Sequence, residues 1–301
     1  SGTVTRGLAF SSAMAQFMPE NLARRVLDMV DVDSDKWTQY APTQRWPLSW
    51  VYAREGRRLA EWEARAACDF DATLLVSRDE AALLQQRVPL ARHKIGAFEN
   101  GVDADYFSPL RDYPDPYPPG VQGVVFTGAM DYWPNVDAVT WFAERIFPAI
   151  RDAVPGAQFT IVGSRPGEAV RALARQPGVV VTGSVPDVRP YLVHAACAVA
   201  PLRIARGVQN KVLEAMAMAR PVVASAQAAE GIRAEAGRDF IPAQDEAGFA
   251  RAVIARLQAP AAVAAARDCI LTHYDWTRNL SAIDGLFEPA PAAAALETCP
   301  A

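Results

Sequence analysis

From Gly123 onward, short runs of apolar and β-branched residues recur, each bounded by glycine, proline or serine: GVVFTGAM (123–130), AQFTIVGS (157–164), GVVVTGSV (178–185), ACAVAPL (196–202), RPVVAS (220–225) and RDFIPA (238–243). The runs are continuous rather than alternating, as in strands covered on both faces. Between them the period changes. In NVDAVTWFAERIFPAIRDAV (135–154), Val136, Val139, Phe142, Ala143 and Ile146 recur at helical spacing until Pro155 and Gly156 stop the helix. Strands alternating with helices, with no hairpin turns, predict an α/β domain on a parallel sheet wrapped on both faces. Three more helices follow, DEAGFARAVIARLQ (245–258), AAVAAARDCILTHY (261–274) and WTRNLSAIDGLFE (276–288), and then an Ala/Pro tail over 289–301 that is expected to be disordered.

The first hundred residues use the same grammar less completely. RGLAFSS (6–12), RRVLDMVDVD (24–33), FDATLLVS (70–77) and HKIGAFENG (93–101) read as strands, with a long helix from about Ser49 to Cys68. Four strands are fewer than such a domain normally carries, and the chain opens on SGTVTRG without Met, so the first domain is expected to be incomplete at its N-terminus. SPLRDYPDPYPPGVQG (108–123), dense in proline and glycine, predicts an interdomain connection. The expected division is a partial Rossmann-like domain over 1–108, a linker over 109–122 and a complete Rossmann-like domain over 123–273, the two domains facing a cleft.

Composition narrows the class. A chain of 301 residues, 51% of them hydrophobic, can bury two ordinary cores. The formal charge of −4 argues against a surface built for nucleic acid, since no basic excess is present to displace counterions. Cys68, Cys197, Cys269 and Cys299 are scattered singly with no CxxC pair, so a reducing cytoplasm fits best. No apolar run reaches the length of a membrane span, and the N-terminus lacks the regions of a signal peptide.

Candidate chemistry concentrates in APLRIARGVQNKVLEAMAMARPVVAS (200–225). Ligands of open parallel sheets bind outside the carboxyl ends of strands, where the next helices present their N-termini. On the helix after ACAVAPL, Asn210, Lys211 and Glu214 share one face at i, i+3 and i+4 spacing, directly behind Arg203 and Arg206. A helix N-terminus reinforced by Arg206 and Lys211 suits a diphosphate, and Gly207 allows close backbone approach. Glu214, one turn deeper and of the wrong sign for phosphate, suits vicinal ribose hydroxyls. The alternative is a Lys211–Glu214 surface pair with Asn210 as a cap, and spacing alone does not separate the two.

NKVLEAMAMARPVVAS (210–225) resembles the E-A-M-A-x-G-x-P-V-V-A signature of family 4 glycosyltransferases of the GT-B fold. ENGVDADYFSP (99–109) is similar to that family's N-G-V-D-x-x-x-F-x-P segment entering the hinge, and TGSVPDVRPYL (182–192) to its G-x-V-x-D-V-x-x-Y-L strand and loop. HYDWTRNLSAIDGLF (273–287) resembles C-terminal helices that cross back to the first domain, which assigns 274–288 that role. FTGAMDYWPNVDAVTWF (126–142), VDVDSDKW (30–37) and EGRRLAEWE (55–63) resemble members tied to bacterial exopolysaccharide clusters, in the branch associated with PEP-CTERM and exosortase systems.

The resemblance implies a retaining transfer of sugar from a UDP-sugar or GDP-sugar donor to a hydroxyl of a glycan or lipid-linked acceptor, with no cofactor and no metal. By position, Glu214 would bind the ribose, the backbone around Val185 and Pro186 the base, and Arg206, Gly207, Val208 and Lys211 the diphosphate, with Arg203 and Asn210 beside them. Gly128, Asp131 and Asn135, in GAMDYWPN, would face the donor from beneath. Two departures stand out: Arg206 occupies the place of a second family Glu, and GAMDYWPN lacks the usual Arg or Lys after the strand. Arg206 with Lys211 would then neutralise the leaving diphosphate.

Asp31 and Asp33, in DMVDVDSDKW (28–37), are candidates for positioning or deprotonating the acceptor, against a simple Asp/Ser capping turn. Trp37, Trp46, Trp50 and Trp62 surround a helix carrying Arg54, Arg57 and Arg58; packing beside a solvated basic face is preferred to sugar stacking or to peripheral contact with an inner membrane. His93, His194 and His273 lack ligand spacing, and FTGAMD lacks the GxGxxG fingerprint of a nicotinamide dehydrogenase. The rival functions are a sugar-nucleotide epimerase of the same fold, or a truncated nucleotide-binding fragment without transfer activity.

Overall fold

The computed structural model describes residues 4–205 and 207–288. The chain forms two compact units: one runs to Asn100 and resumes at Thr277, and the other is Gly101–Trp276. The expected tail over 289–301 lies outside the described residues. No helix among the described residues is long and apolar enough to cross a membrane.

The first unit contains β1 (Arg6–Phe10), β2 (Arg24–Val30), α1 (Asp33–Tyr40), α2 (Leu48–Asp69), β3 (Ala72–Leu75), α3 (Arg78–Arg87) and β4 (Ile95–Ala97). Its four strands pair in chain order, all parallel. Leu27, Met29 and Leu75 alternate with Val26 and Leu74, so the sheet buries apolar side chains on both faces. α2 covers one face through Ala66 and Ala67, and Phe70 follows at its end.

The second unit holds β5 (Gln122–Thr127), α4 (Trp133–Trp141), α5 (Phe147–Ala153), β6 (Ala157–Val162), α6 (Glu168–Leu173), β7 (Val179–Gly183), α7 (Arg189–His194), β8 (Cys197–Ala200), α8 (Asn210–Ala217), β9 (Val222–Ala224), α9 (Ala226–Ala229), β10 (Ile241–Pro242), α10 (Glu246–Gln258) and α11 (Ala264–His273). α12 (Trp276–Asp284) begins on its last residue. All six expected strands form, in the order β10-β9-β8-β5-β6-β7. Every pairing is parallel. This is the doubly wound arrangement, and its order reverses between β5 and β8.

The helix expected over 135–154 is broken into α4, a π-turn over Phe142–Ile146 and α5. Pro148 explains the break, because it has no N–H to donate to the preceding turn and its ring crowds the carbonyl four residues back. Phe142 still packs on Phe159 and Phe249 in the core.

The second unit begins at Gly101, so the proline-rich segment expected to connect the domains falls inside it, and the strap from Ala104 to Tyr117 is held by side chains of that unit. Arg267 donates to the Phe107 and Ala104 carbonyls at 2.9 and 3.1 Å. The Arg189 guanidinium lies 3.6 Å from the Tyr106 ring centroid. The Tyr117 hydroxyl donates to the Tyr191 carbonyl at 2.9 Å, and its ring lies where a side chain on Gly123 would sit, 2.4 Å from the position of a Cβ. Prolines set the path of the strap, while aromatic and guanidinium side chains hold it down; composition reports only the first. Cys197 and Cys269 are buried free thiols.

Candidate functional site

Where the strand order reverses, the chain leaving β5 and the chain leaving β8 turn to opposite faces and open a crevice at the carboxyl edge of the sheet. A cavity of about 490 Å³ occupies that place in the second unit. Three segments wall it: Thr127, Gly128, Ala129 and Asn135 after β5, Val162, Gly163 and Ser164 at the end of β6, and Val208, Gln209, Asn210, Lys211 and Glu214 around the start of α8, with Val188 closing one side.

Two glycines let the first two segments touch. A Cβ on Gly163 would lie 1.6 Å from the Gly128 carbonyl oxygen, inside any possible contact. A Cβ on Gly128 would lie 2.8 Å from Asn135 Nδ2 and 3.4 Å from Lys211 Cε. The floor is therefore bare backbone, fixed by Gly128 N–H donating to the Val162 carbonyl (3.0 Å) and Met130 N–H to the Ser164 carbonyl (2.8 Å).

Above the floor, Asn135 is only 4% exposed, and both its amide nitrogen and its amide oxygen are hydrogen-bonded. Its Nδ2 donates to the Ala129 carbonyl at 2.9 Å, and its Oδ1 accepts from Lys211 Nζ at 3.0 Å. That pair aims the ammonium into the cavity, 5.3 Å from the Phe126 ring centroid. Burial lowers the Lys211 pKa to about 8, and Glu214 offsets part of the shift. Burial likewise raises the Glu214 pKa, opposed by Lys211. The two do not approach as an ion pair, and no hydrogen bond to the Glu214 carboxylate forms among the described residues, so the surface-pair alternative does not describe them. No side-chain cap closes the start of α8. A half-buried carboxylate, a half-buried ammonium and a helix N-terminus thus line one cavity, which fits a ligand bearing both anionic oxygens and hydroxyl donors.

The remaining expected residues fall into three groups. Gly207 (φ 64°), Val208 and Asn210 lie at the start of α8, and the last two line the cavity. Arg206 lies outside the described residues. Arg203, Asp131, Val185 and Pro186 are placed elsewhere. Arg203 turns to Asp137 on α4, with Nε donating to Oδ2 at 2.9 Å, and lines a separate hollow beside Trp141 and Glu246. Asp131 pairs with Arg165 at 3.0 Å outside the cavity. In the loop before α7 it is Val188, not Val185 or Pro186, that reaches the cavity wall. Gly163, Ser164 and Val188 were not singled out by sequence; the Gly-Ser closing AQFTIVGS was the available signal, but only strand order shows that it meets Gly128.

In the first unit, Asp31 and Asp33 both accept from Lys36 Nζ, at 2.6 and 3.0 Å. Neither caps α1. Val32 N–H donates to Glu80 Oε2 at 2.8 Å and Ser34 N–H to buried Glu63 Oε1 at 3.0 Å, so carboxylates from α3 and α2 fill the helix start. Among the described residues no three His, Cys, Asp or Glu side chains group as metal ligands.

Residues 121–259 match the family described as Glycosyl transferases group 1; the match spans most of the second unit but less than half of the chain. No curated protein matches the chain. Solved structures share its fold at low identity. A glycosyltransferase from Rickettsia africae ESF-5 superposes with a TM-score of 0.64 at 14% identity, over 91% of this chain and 79% of that one. Sucrose-phosphate synthase from Thermosynechococcus elongatus gives 0.67 at 16%, over 94% and 73%. Anabaena HepE in complex with UDP gives 0.65 at 13%, over 92% and 77%. The fold is thus the α/β arrangement of GT-B glycosyltransferases, with two Rossmann-like units, and the second carries the group 1 glycosyltransferase match.

Proposed function

We propose that this chain transfers a sugar from a UDP-sugar or GDP-sugar to an acceptor hydroxyl, with retention at the anomeric carbon, in the assembly of exopolysaccharide or another envelope glycan. The observation that carries the reading is the Lys211–Glu214 cavity: two oppositely charged groups held apart and unpaired where a doubly wound sheet binds nucleotides. The diphosphate lies on the start of α8 with Lys211 on its oxygens, and Glu214 accepts from the ribose hydroxyls. As the bond from sugar to diphosphate breaks, negative charge grows on the leaving oxygen. A pre-placed ammonium in a poorly solvated site stabilises that charge without waiting for solvent to reorganise. The group 1 match and the UDP complex of the HepE structure support a nucleoside diphosphate as the leaving group. The acceptor is a glycan or lipid-linked hydroxyl, and no metal is needed where Lys211 supplies the charge.

Titration calorimetry with UDP, GDP and their glucose conjugates tests the donor half. Binding by the wild type and its loss in Lys211→Met are expected, and a wild type that binds no nucleoside diphosphate sinks the reading. Product stereochemistry by NMR tests retention, and turnover of the donor without acceptor would replace transfer by epimerisation.

A further inference from the structure

Four tryptophans sit at or near α2, and the structure divides them. Trp62 is packed, its Nε1–H donating to the Ser12 carbonyl at 3.0 Å, and Trp37 stands edge-on to Tyr52 with centroids 4.8 Å apart. Packing explains Trp62, and Trp37, 36% exposed, has the Tyr52 ring against it. Trp46 and Trp50, by contrast, are 82% and 58% exposed, with Leu48 at 50% between them, on the turn and first residues of α2. Three large apolar side chains in five residues, all facing water, are costly unless something covers them.

Their surroundings are cationic. Residues 45–58 contain Arg45, Arg54, Arg57 and Arg58 against a single acid, Glu55, in a chain whose net charge is −4. Glu55 pairs with Arg54. Arg45, Arg57 and Arg58 are exposed and have no acidic partner among the described residues. Trp50, Arg54, Arg57 and Arg58 fall at i, i+4, i+7 and i+8, one face of α2, so the arginines continue the stripe that the tryptophans begin.

We propose that this tip is a membrane-docking surface, seating the chain on anionic phospholipid. Indole rings prefer the headgroup level, where the ring is apolar and the N–H is wet, and Leu48 adds a shallow apolar wedge. Unpaired guanidinium groups are drawn to lipid phosphates. A protein acidic overall is repelled by such a surface except where its basic residues are gathered, so the same patch fixes the docking orientation. The docking does not depend on the transfer reading: a membrane seat and a nucleotide cavity stand or fall separately.

The test is flotation of the full chain with vesicles of mixed phosphatidylcholine and phosphatidylglycerol, and with phosphatidylcholine alone. The wild type is expected to float with the anionic vesicles only, and less so at high salt. The pair Trp46→Ser with Trp50→Ser, and separately Arg57→Glu with Arg58→Glu, should each lower partitioning about tenfold or more, at unchanged melting temperature and unchanged UDP affinity. A wild type that stays in solution with both vesicles overturns the proposal, as does a tryptophan variant that partitions like the wild type. Self-association of the wild type that the tryptophan variant abolishes would assign the patch to a second copy and overturn it too.

Discussion

Two helix starts in this molecule carry similar residues and do opposite things. At α1, Lys36 is surrounded by Asp31 and Asp33, and the helix N–H groups are taken by Glu80 and Glu63. At α8, Lys211 leans on a neutral amide, Glu214 accepts no hydrogen bond from a described residue, and the helix start has no side-chain cap. The pKa directions record the difference. Burial pulls both lysines down, but the carboxylate hydrogen bonds more than restore Lys36, whereas Lys211 falls to about 8. A charge satisfied by its own chain holds a fold together. A charge left unsatisfied in a cavity destabilises the fold slightly and awaits a ligand.

The sharpest way to break the comparison is Gly163→Ala. The added methyl meets the Gly128 carbonyl, so the β5 and β6 loops must part. Overpacking of this kind costs about 1–3 kcal/mol or more, and calorimetry should show a lowered Tm together with loss of nucleotide binding. Lys211→Met comes next. Loss of a charged hydrogen bond of about 2–3 kcal/mol predicts roughly 30- to 150-fold weaker UDP binding.

The pH dependence separates Lys211 from a structural lysine. In the ligand-free protein its ammonium is lost as pH rises through about 8, so wild-type affinity for UDP should fall above that pH, and the break should vanish in Lys211→Met. Stability runs the other way. Between about 8 and the ordinary value of 10.5 the unfolded chain binds the extra proton, so Lys211 makes the wild type more stable as pH rises through that window. Melting curves of wild type and Lys211→Met across it should converge or cross accordingly.

Glu214→Gln has a smaller expected effect, about tenfold on nucleotide affinity, with Tm unchanged or slightly higher because the desolvation cost of a half-buried carboxylate is removed. The smallest change belongs to the other helix. Lys36→Met should lower stability by about 1 kcal/mol in urea melts and leave UDP affinity alone. A loss of UDP binding there would erase the distinction between the two starts.

Reading the chain alone located all ten strands, the long helix and the face bearing Asn210, Lys211 and Glu214, because side-chain periodicity is set residue by residue. It gave Arg203 a ligand role but did not show its pairing with Asp137, since the direction of a long side chain depends on which neighbour lies across a loop. It read the proline-rich segment over 108–123 as an interdomain connection, and composition does not reveal that Tyr117 fastens it to Tyr191 or that Arg189 and Arg267 hold the residues just before it. It also weighed four tryptophans as one cluster, when the structure grades them: Trp62 is packed, Trp37 is 36% exposed with Tyr52 against its ring, and Trp46 and Trp50 are the most exposed.

What the amino-acid order determined by itself was the alternation of strand and helix and the charged groups placed at one helix start, both consequences of spacing along the chain. Tertiary structure decided the strand order, and with it the meeting of Gly128 with Gly163 and of Asn135 with Lys211. The physical reason is that hydrophobic spacing fixes how each element faces the core, but not which element lies beside it. A binding cavity is made of neighbours far apart in sequence, so it exists only once the sheet has assembled.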